Sequence, residues 1–116
     1  MKKSIMKKWV AALRSGEFKQ GEGYLNNKGT HCCLGILCEL ALIEGKVPGY
    51  RDKSRITNYG DDELVFLLPY EVKRWSGVWD SFGANRKTGK TLSDMNDNGV
   101  PFKEIADIIE QNYKEL

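Results

Sequence analysis

Between Cys32 and Ile43 the chain reads CCLGILCELALI, twelve residues in which Glu39 is the sole charge. A helix that is apolar around nearly its whole circumference has no face to give to water, so it belongs at the centre of a domain with other elements laid around it. Thr30 or His31 is placed to cap this helix and Gly45 to end it. Gly35 lies inside it, where glycine costs about 1 kcal/mol relative to alanine; its presence points to close approach by another backbone or by a ligand.

Two amphipathic helices can supply the wrapping. Ile5, Trp9 and Leu13 recur at i, i+4 and i+8 with Met6 and Val10 beside them, Ser4 offers a cap and Gly16 a stop. Pro101 opens a last helix whose stripe is Phe102, Ile105, Ala106, Ile109 and Tyr113. Between them the signals are shorter. Tyr24 to Thr30 reads as a tight turn or short hairpin entering the central helix. Arg55-Ile56-Thr57 and Leu64-Val65-Phe66 are candidate strands around an Asn58-Tyr59-Gly60-Asp61 turn. Pro69 begins a short helix that turns Val72 and Trp75 inward and ends at Gly77. Thr91-Leu92-Ser93-Asp94 resembles a capping box with Asp in the Glu position, and the brief helix it opens stops at Asn98-Gly99. The expected fold is one α+β domain over residues 1–116, mostly helical. Its central helix is packed by the N- and C-terminal helices and edged by one small antiparallel sheet.

Length and charge exclude several classes of function. A chain of 116 residues is at most one small domain, and its formal net charge of +2 is too weak to imply a general nucleic-acid or membrane-surface partner. Three cysteines, two of them adjacent, do not make a disulfide framework. Arg14 interrupts the apolar run that follows the N-terminal lysines before it reaches signal-peptide length, so a cytoplasmic protein with reduced thiols is expected.

Several motifs invite chemistry that their spacing does not support. Gly83-Ala84-Asn85-Arg86-Lys87-Thr88-Gly89-Lys90-Thr91 resembles a phosphate-binding P-loop, but five residues separate its glycines where that loop has four. What survives is a weaker anion site, in which Arg86, Lys87 and Lys90 precede a helix start at Thr91. His31, Cys32, Cys33 and Cys38 lack the second His or the CxxC pair of a zinc site, so no metal and no cofactor are expected. A nucleophilic Cys32 would need a base, and the one His is its immediate neighbour in the chain. Thr91 to Glu110 resembles the first two helices of a helix-turn-helix, yet no recognition helix follows, which disfavours DNA. The carboxylates Asp94, Asp97, Glu104 and Asp107 are close in sequence without a spacing that marks an acid/base pair.

The segments KWVAALRSGEFKQGEGYL, THCCLGILCELA, LPYEVKRW and LSDMNDNGVPFKEIADIIE together resemble a family of small uncharacterised proteins carried by bacteriophages and prophages. The resemblance runs over most of the chain and implies an accessory role in infection, in the manner of small phage proteins that counter host defence. One such class sequesters nucleotide messengers without chemistry, a similarity of role and size that carries no matched motif. The expected function is therefore non-catalytic binding of a small nucleotide-like ligand. The alternatives are an interaction protein acting on a host protein or on DNA, and a small enzyme acting on a nucleotide. The expected pocket forms where the Gln20–Tyr24 loop, the start of the central helix at His31 and Cys32, and the Asn96-Asp97 turn converge. Gln20, Asn96 and Asp97 would bond a base or ribose, Tyr24 or Trp75 would stack, and Arg86, Lys90 and Thr91 would hold phosphate. No membrane partner is expected, and a homo-oligomer is left open.

Overall fold

The computed structural model describes residues 1–51, 57–60 and 65–116. Helix α1 (Lys3–Arg14) buries Ile5, Met6, Trp9, Val10 and Leu13, the stripe its sequence spells out. After the short strands β1 (Lys19–Gln20) and β2 (Thr30–His31) comes α2 (Cys33–Ile43), in which every residue from Cys33 to Cys38 is buried. Strands β3 (Gly49–Arg51) and β4 (Thr57–Tyr59) follow, then α3 (Tyr70–Ser76), α4 (Leu92–Asp97), α5 (Phe102–Asn112) and a closing 3-10 turn over Tyr113–Glu115. The fold is α+β and mostly helical. Helix α2 is its centre and meets α1, α3 and α4, while α5 lies chiefly along α1 and also touches α4. Trp9 fixes the α1–α2 contact, since its ring is fully buried and its indole N–H donates to the Cys33 carbonyl at 2.9 Å. Among the described residues no helix is long and apolar enough to cross a membrane.

Gly35 has the close approach its position implied, and the approaching group is backbone. A Cβ at Gly35 would lie 1.7 Å from the Leu25 carbonyl oxygen. The segment that ends at Leu25 thus runs directly against α2. It then reverses through Asn27-Lys28-Gly29-Thr30, where Asn27 and Thr30 exchange both backbone hydrogen bonds and Lys28 and Gly29 both have positive φ. That is the turn geometry a two-residue hairpin loop demands.

Three expectations are corrected. Ser4 does not cap α1, which begins one residue earlier with no side-chain cap. Thr30 and His31 do not cap α2 either: they form β2, which pairs in parallel with β1 through Lys19–Thr30 and Gln20–His31. The strand pairing also differs. Thr57 to Tyr59 is itself a strand, antiparallel to Gly49–Arg51, and Tyr59 at its end is drawn into the core. Val65 and Phe66 lie in a turn, and Arg55, Ile56, Asp61 and Leu64 fall outside the described residues.

Candidate functional site

The predicted pocket residues Gln20, Asn96 and Asp97 do converge, and they close on one another. The Asn96 side-chain oxygen accepts from Gln20 Nε2 at 2.9 Å and from the Cys33 amide at 3.1 Å, and its Nδ2 donates to the Gly21 carbonyl at 2.8 Å and to Asp97 Oδ1 at 3.2 Å. All the hydrogen-bonding positions of this buried amide are therefore filled. Gln20 is equally occupied, donating also to the Val100 carbonyl and accepting from the Phe102 amide, and Asp97 accepts from the Gly23 amide. The cap of α2 is thus Asn96, sixty-three residues downstream of Cys33, and Gln20 links the same knot to the start of α5. Asn96 and Gln20 thus serve the fold, while Asp97, engaged through its Oδ1, is exposed.

His31 and Cys32 are likewise turned to structure. His31 is buried, its Nε2 is 3.0 Å from Glu39 Oε1, and its ring packs edge-on against Phe18. The same carboxylate oxygen accepts from the Tyr59 hydroxyl at 2.6 Å and from Asn26 Nδ2 at 3.3 Å. This four-membered network joins the hairpin, α2 and β4 within the core. Hydrogen bonding from His31, reinforced by Tyr59 and Asn26, holds the Glu39 carboxyl below its ordinary pKa against the opposing effect of burial. Burial, with the hydrogen bond to Glu39, pushes the Tyr59 phenol far up. The cysteines are free thiols and all three are buried. Desolvation raises Cys32 to about 11 even though amides at the start of α2 oppose it, and raises Cys33 and Cys38 well above the ordinary thiol range. These are packing residues, poorly suited to nucleophilic attack.

The predicted phosphate-binding residues lie apart from that knot. Arg86 places its guanidinium 5.4 Å from the Trp79 ring centroid, and its amide donates to the Glu115 carbonyl. Thr91 caps α4 by accepting from the Asp94 amide at 3.1 Å, as the capping box predicts. Lys90 stands on the rim of a small cavity of about 180 Å³ floored by Leu92, Met95, Ile108 and Leu116. Tyr24 is partly exposed on its loop.

Trp75 alone of the predicted stacking and binding residues faces the larger concavity. That groove has a volume of about 380 Å³ and is lined by Lys2, Lys46, Tyr70, Glu71, Arg74 and Trp75. Its wall is α3. Val72 and Ser76, both fully buried, anchor the helix in the core, which leaves Tyr70 and Arg74 exposed on its outer face. Tyr70 and Arg74, and likewise Glu71 and Trp75, are four apart and therefore neighbours along the helix surface. Lys2 arrives from the start of α1, its amide donating to the Ser76 carbonyl at 2.8 Å, and Lys46 from the loop after α2. Two aromatic side chains and three cations thus share one groove with a single lining carboxylate. The nearby carboxylate of Glu44 is engaged by Lys8. Reading PYEVKRW for its inward residues identified Val72 and Trp75 but not Tyr70, Glu71 or Arg74. The i, i+4 spacing of Tyr70 with Arg74 was the available signal, whereas Lys2 and Lys46 reach the groove only through tertiary packing.

The described residues thus make a mostly helical α+β domain whose groove at α3 joins cationic and aromatic side chains. Residues 1–113 match the family model described as a domain of unknown function, DUF8296, and the chain belongs to that family. No curated protein and no solved structure matches it.

Proposed function

We propose that this protein binds a small nucleotide-like anion in the groove lined by Tyr70, Arg74 and Trp75, and holds it without altering it. The observation that carries the reading is the joining of aromatic and cationic side chains in one concavity: Tyr70 is largely exposed, Trp75 is half-buried, and Lys2, Lys46 and Arg74 stand around them. Aromatic faces stack on a base, and Lys and Arg neutralise phosphate. A volume of about 380 Å³ lies within the range of small-ligand sites. The reading of binding without turnover draws on the fate of the reactive groups, since the one histidine and all three cysteines are packed into the core away from the groove. In an infected bacterial cytoplasm, such binding would lower the free concentration of a host nucleotide signal, the counter-defence role implied by the resemblance to phage proteins.

A second reading, an interaction protein acting on a host protein, is favoured by one observation. Phe66, Trp79 and Phe82 are exposed on segments joined by the Leu68 amide's hydrogen bond to the Ser81 carbonyl, with Arg86 over Trp79. Thermal denaturation against a panel of mononucleotides and cyclic nucleotides, with the recovered ligand weighed by mass spectrometry, separates the readings. Sequestration gives a rise of about 10 °C at a hundredfold excess over Kd, corresponding to about 2.7 kcal/mol, with the ligand intact. Arg74→Ala and Tyr70→Ala should each reduce the rise. No shift with any nucleotide refutes ligand binding and moves the weight to the aromatic surface, and an altered ligand mass refutes binding without turnover.

A further inference from the structure

The groove contains one group that a simple phosphate site would not have. Glu71 lines it among three cations, and among the described residues it forms no ion pair with Lys2, Lys46 or Arg74. A carboxylate there repels a phosphate, so its presence is favourable where the ligand brings hydrogen-bond donors to it. Its position is defined on two sides. Glu71 occupies the first turn of α3 next to the buried Val72, and its Oε2 approaches Gly60 so closely that a Cβ there would lie 2.9 Å away. Four residues on, Trp75 is its neighbour along the helix, so the carboxylate and the indole line the same stretch of the groove.

We infer that the nucleotide carries guanine, whose adjacent ring N–H and exocyclic amine are read together by the Glu71 carboxylate, an inference that rests on the nucleotide reading above. A carboxylate only accepts hydrogen bonds when ionised, and the guanine edge offers two parallel donors with the spacing of its two oxygens. Adenine offers one amine on that edge, beside a ring nitrogen whose lone pair faces the carboxylate unfavourably. Hypoxanthine keeps the ring N–H and lacks the amine. Arg74, one turn from Tyr70, and the lysines from outside the helix remain for phosphate, so base and phosphate are recognised by different residues.

The test is calorimetric titration of the full chain with GMP, IMP, AMP and 2′-deoxy-GMP, repeated with Glu71→Ala. A bidentate base contact discriminates by about ten- to a hundredfold. GMP should bind at least ten times more tightly than AMP, with IMP between them and 2′-deoxy-GMP equal to GMP. Glu71→Ala should bind GMP and AMP alike, and its unchanged circular dichroism and melting profile would show that it is folded. Equal binding of GMP and AMP by the unmodified chain overturns the guanine assignment while leaving the nucleotide reading in place. So does a preference that survives Glu71→Ala. Loss of affinity for 2′-deoxy-GMP alone would assign Glu71 to the ribose hydroxyls and also overturn it. Failure of all four ligands, at concentrations where related cyclic guanine and adenine nucleotides also fail, removes the nucleotide reading and this inference with it.

Discussion

Gly35→Ala sets two effects against each other whose sizes can be worked out. In a helix interior alanine is favoured over glycine by about 1 kcal/mol, so propensity alone makes the variant more stable. The added methyl would lie 1.7 Å from the Leu25 carbonyl oxygen and 2.6 Å from its carbon, and to restore ordinary contact α2 or the Leu25 segment must move by about 1.5 Å. The obstacle is backbone, held by the Leu25 amide's 2.9 Å hydrogen bond to the Val65 carbonyl and by the turn that follows, so it cannot swing aside as a side chain would. Overpacking a filled core costs about 1–3 kcal/mol, and a backbone clash belongs at or beyond the upper end, which leaves a net loss of about 2 kcal/mol. For 116 residues the unfolding entropy is about 0.24 kcal/mol per degree, so Tm should fall by about 8 °C in a calorimetric or circular-dichroism melt. Gly49→Ala is the control, because there the new methyl meets only the ends of the Leu42 side chain at 3.0 and 3.1 Å, which can rotate away. Its Tm should change by less than about 4 °C. A Gly35→Ala variant as stable as the parent, or more so, would refute the reasoning that close backbone packing dictates this glycine.

The remaining predictions concern the buried polar groups. Asn96→Ala strands the Cys33 amide and the Gly21 carbonyl and takes one of its two acceptors from Gln20 Nε2, and should lower stability by about 3 kcal/mol in urea unfolding; a loss below about 1 kcal/mol would show that the knot is not needed. Glu39 has a folded pKa below its ordinary 4.5, so the stability it contributes is present above about pH 4.5 and is lost as pH falls through the folded value. Glu39→Gln should cost about 1–2 kcal/mol at pH 7 and flatten the acid limb of the stability–pH curve, and an unchanged acid limb would contradict the assignment. With Cys32 raised to about 11 and Cys33 and Cys38 raised well above the ordinary thiol range by burial, the folded protein should resist alkylation at pH 8 and take up three equivalents once denatured. Rapid labelling of a native thiol would refute that burial.

The helices were legible because their information is local. The stripe Ile5-Trp9-Leu13, the stripe Phe102-Ile105-Ile109 and the uniformly apolar run around Leu37 each reveal a buried face within one element. The cap at Thr91 is equally local, and the structure bears out its half of the box, the Thr91 hydroxyl accepting from the Asp94 amide. What escaped the sequence depends on contacts between distant residues. Asn96 and Gln20 were singled out because polar side chains in Gly-rich turns need partners, but nothing in their neighbourhood tells a partner in the chain from a ligand. The cap that α2 lacks locally comes from Asn96, so the expectation of Thr30 or His31 failed for want of long-range information. The groove was half-legible in the same sense: Trp75 and Arg74 are adjacent in the sequence, whereas Lys2 and Lys46 join them only when α1 and the loop after α2 pack beside α3.

Ligand binding at α3 can be seen residue by residue in nitrogen–proton correlation spectra recorded during titration with GMP. The indole resonances of Trp9, Trp75 and Trp79 report from three separate places, since Trp9 is fully buried and Trp79 is exposed beside Arg86. The Trp75 indole and the amides of Tyr70 to Ser76 should shift progressively to saturation, while the side-chain amides of Gln20 and Asn96 stay fixed. Shifts centred on Gln20, Asn96 and Asp97 with Trp75 unmoved, or no shifts at millimolar nucleotide, would contradict binding at α3.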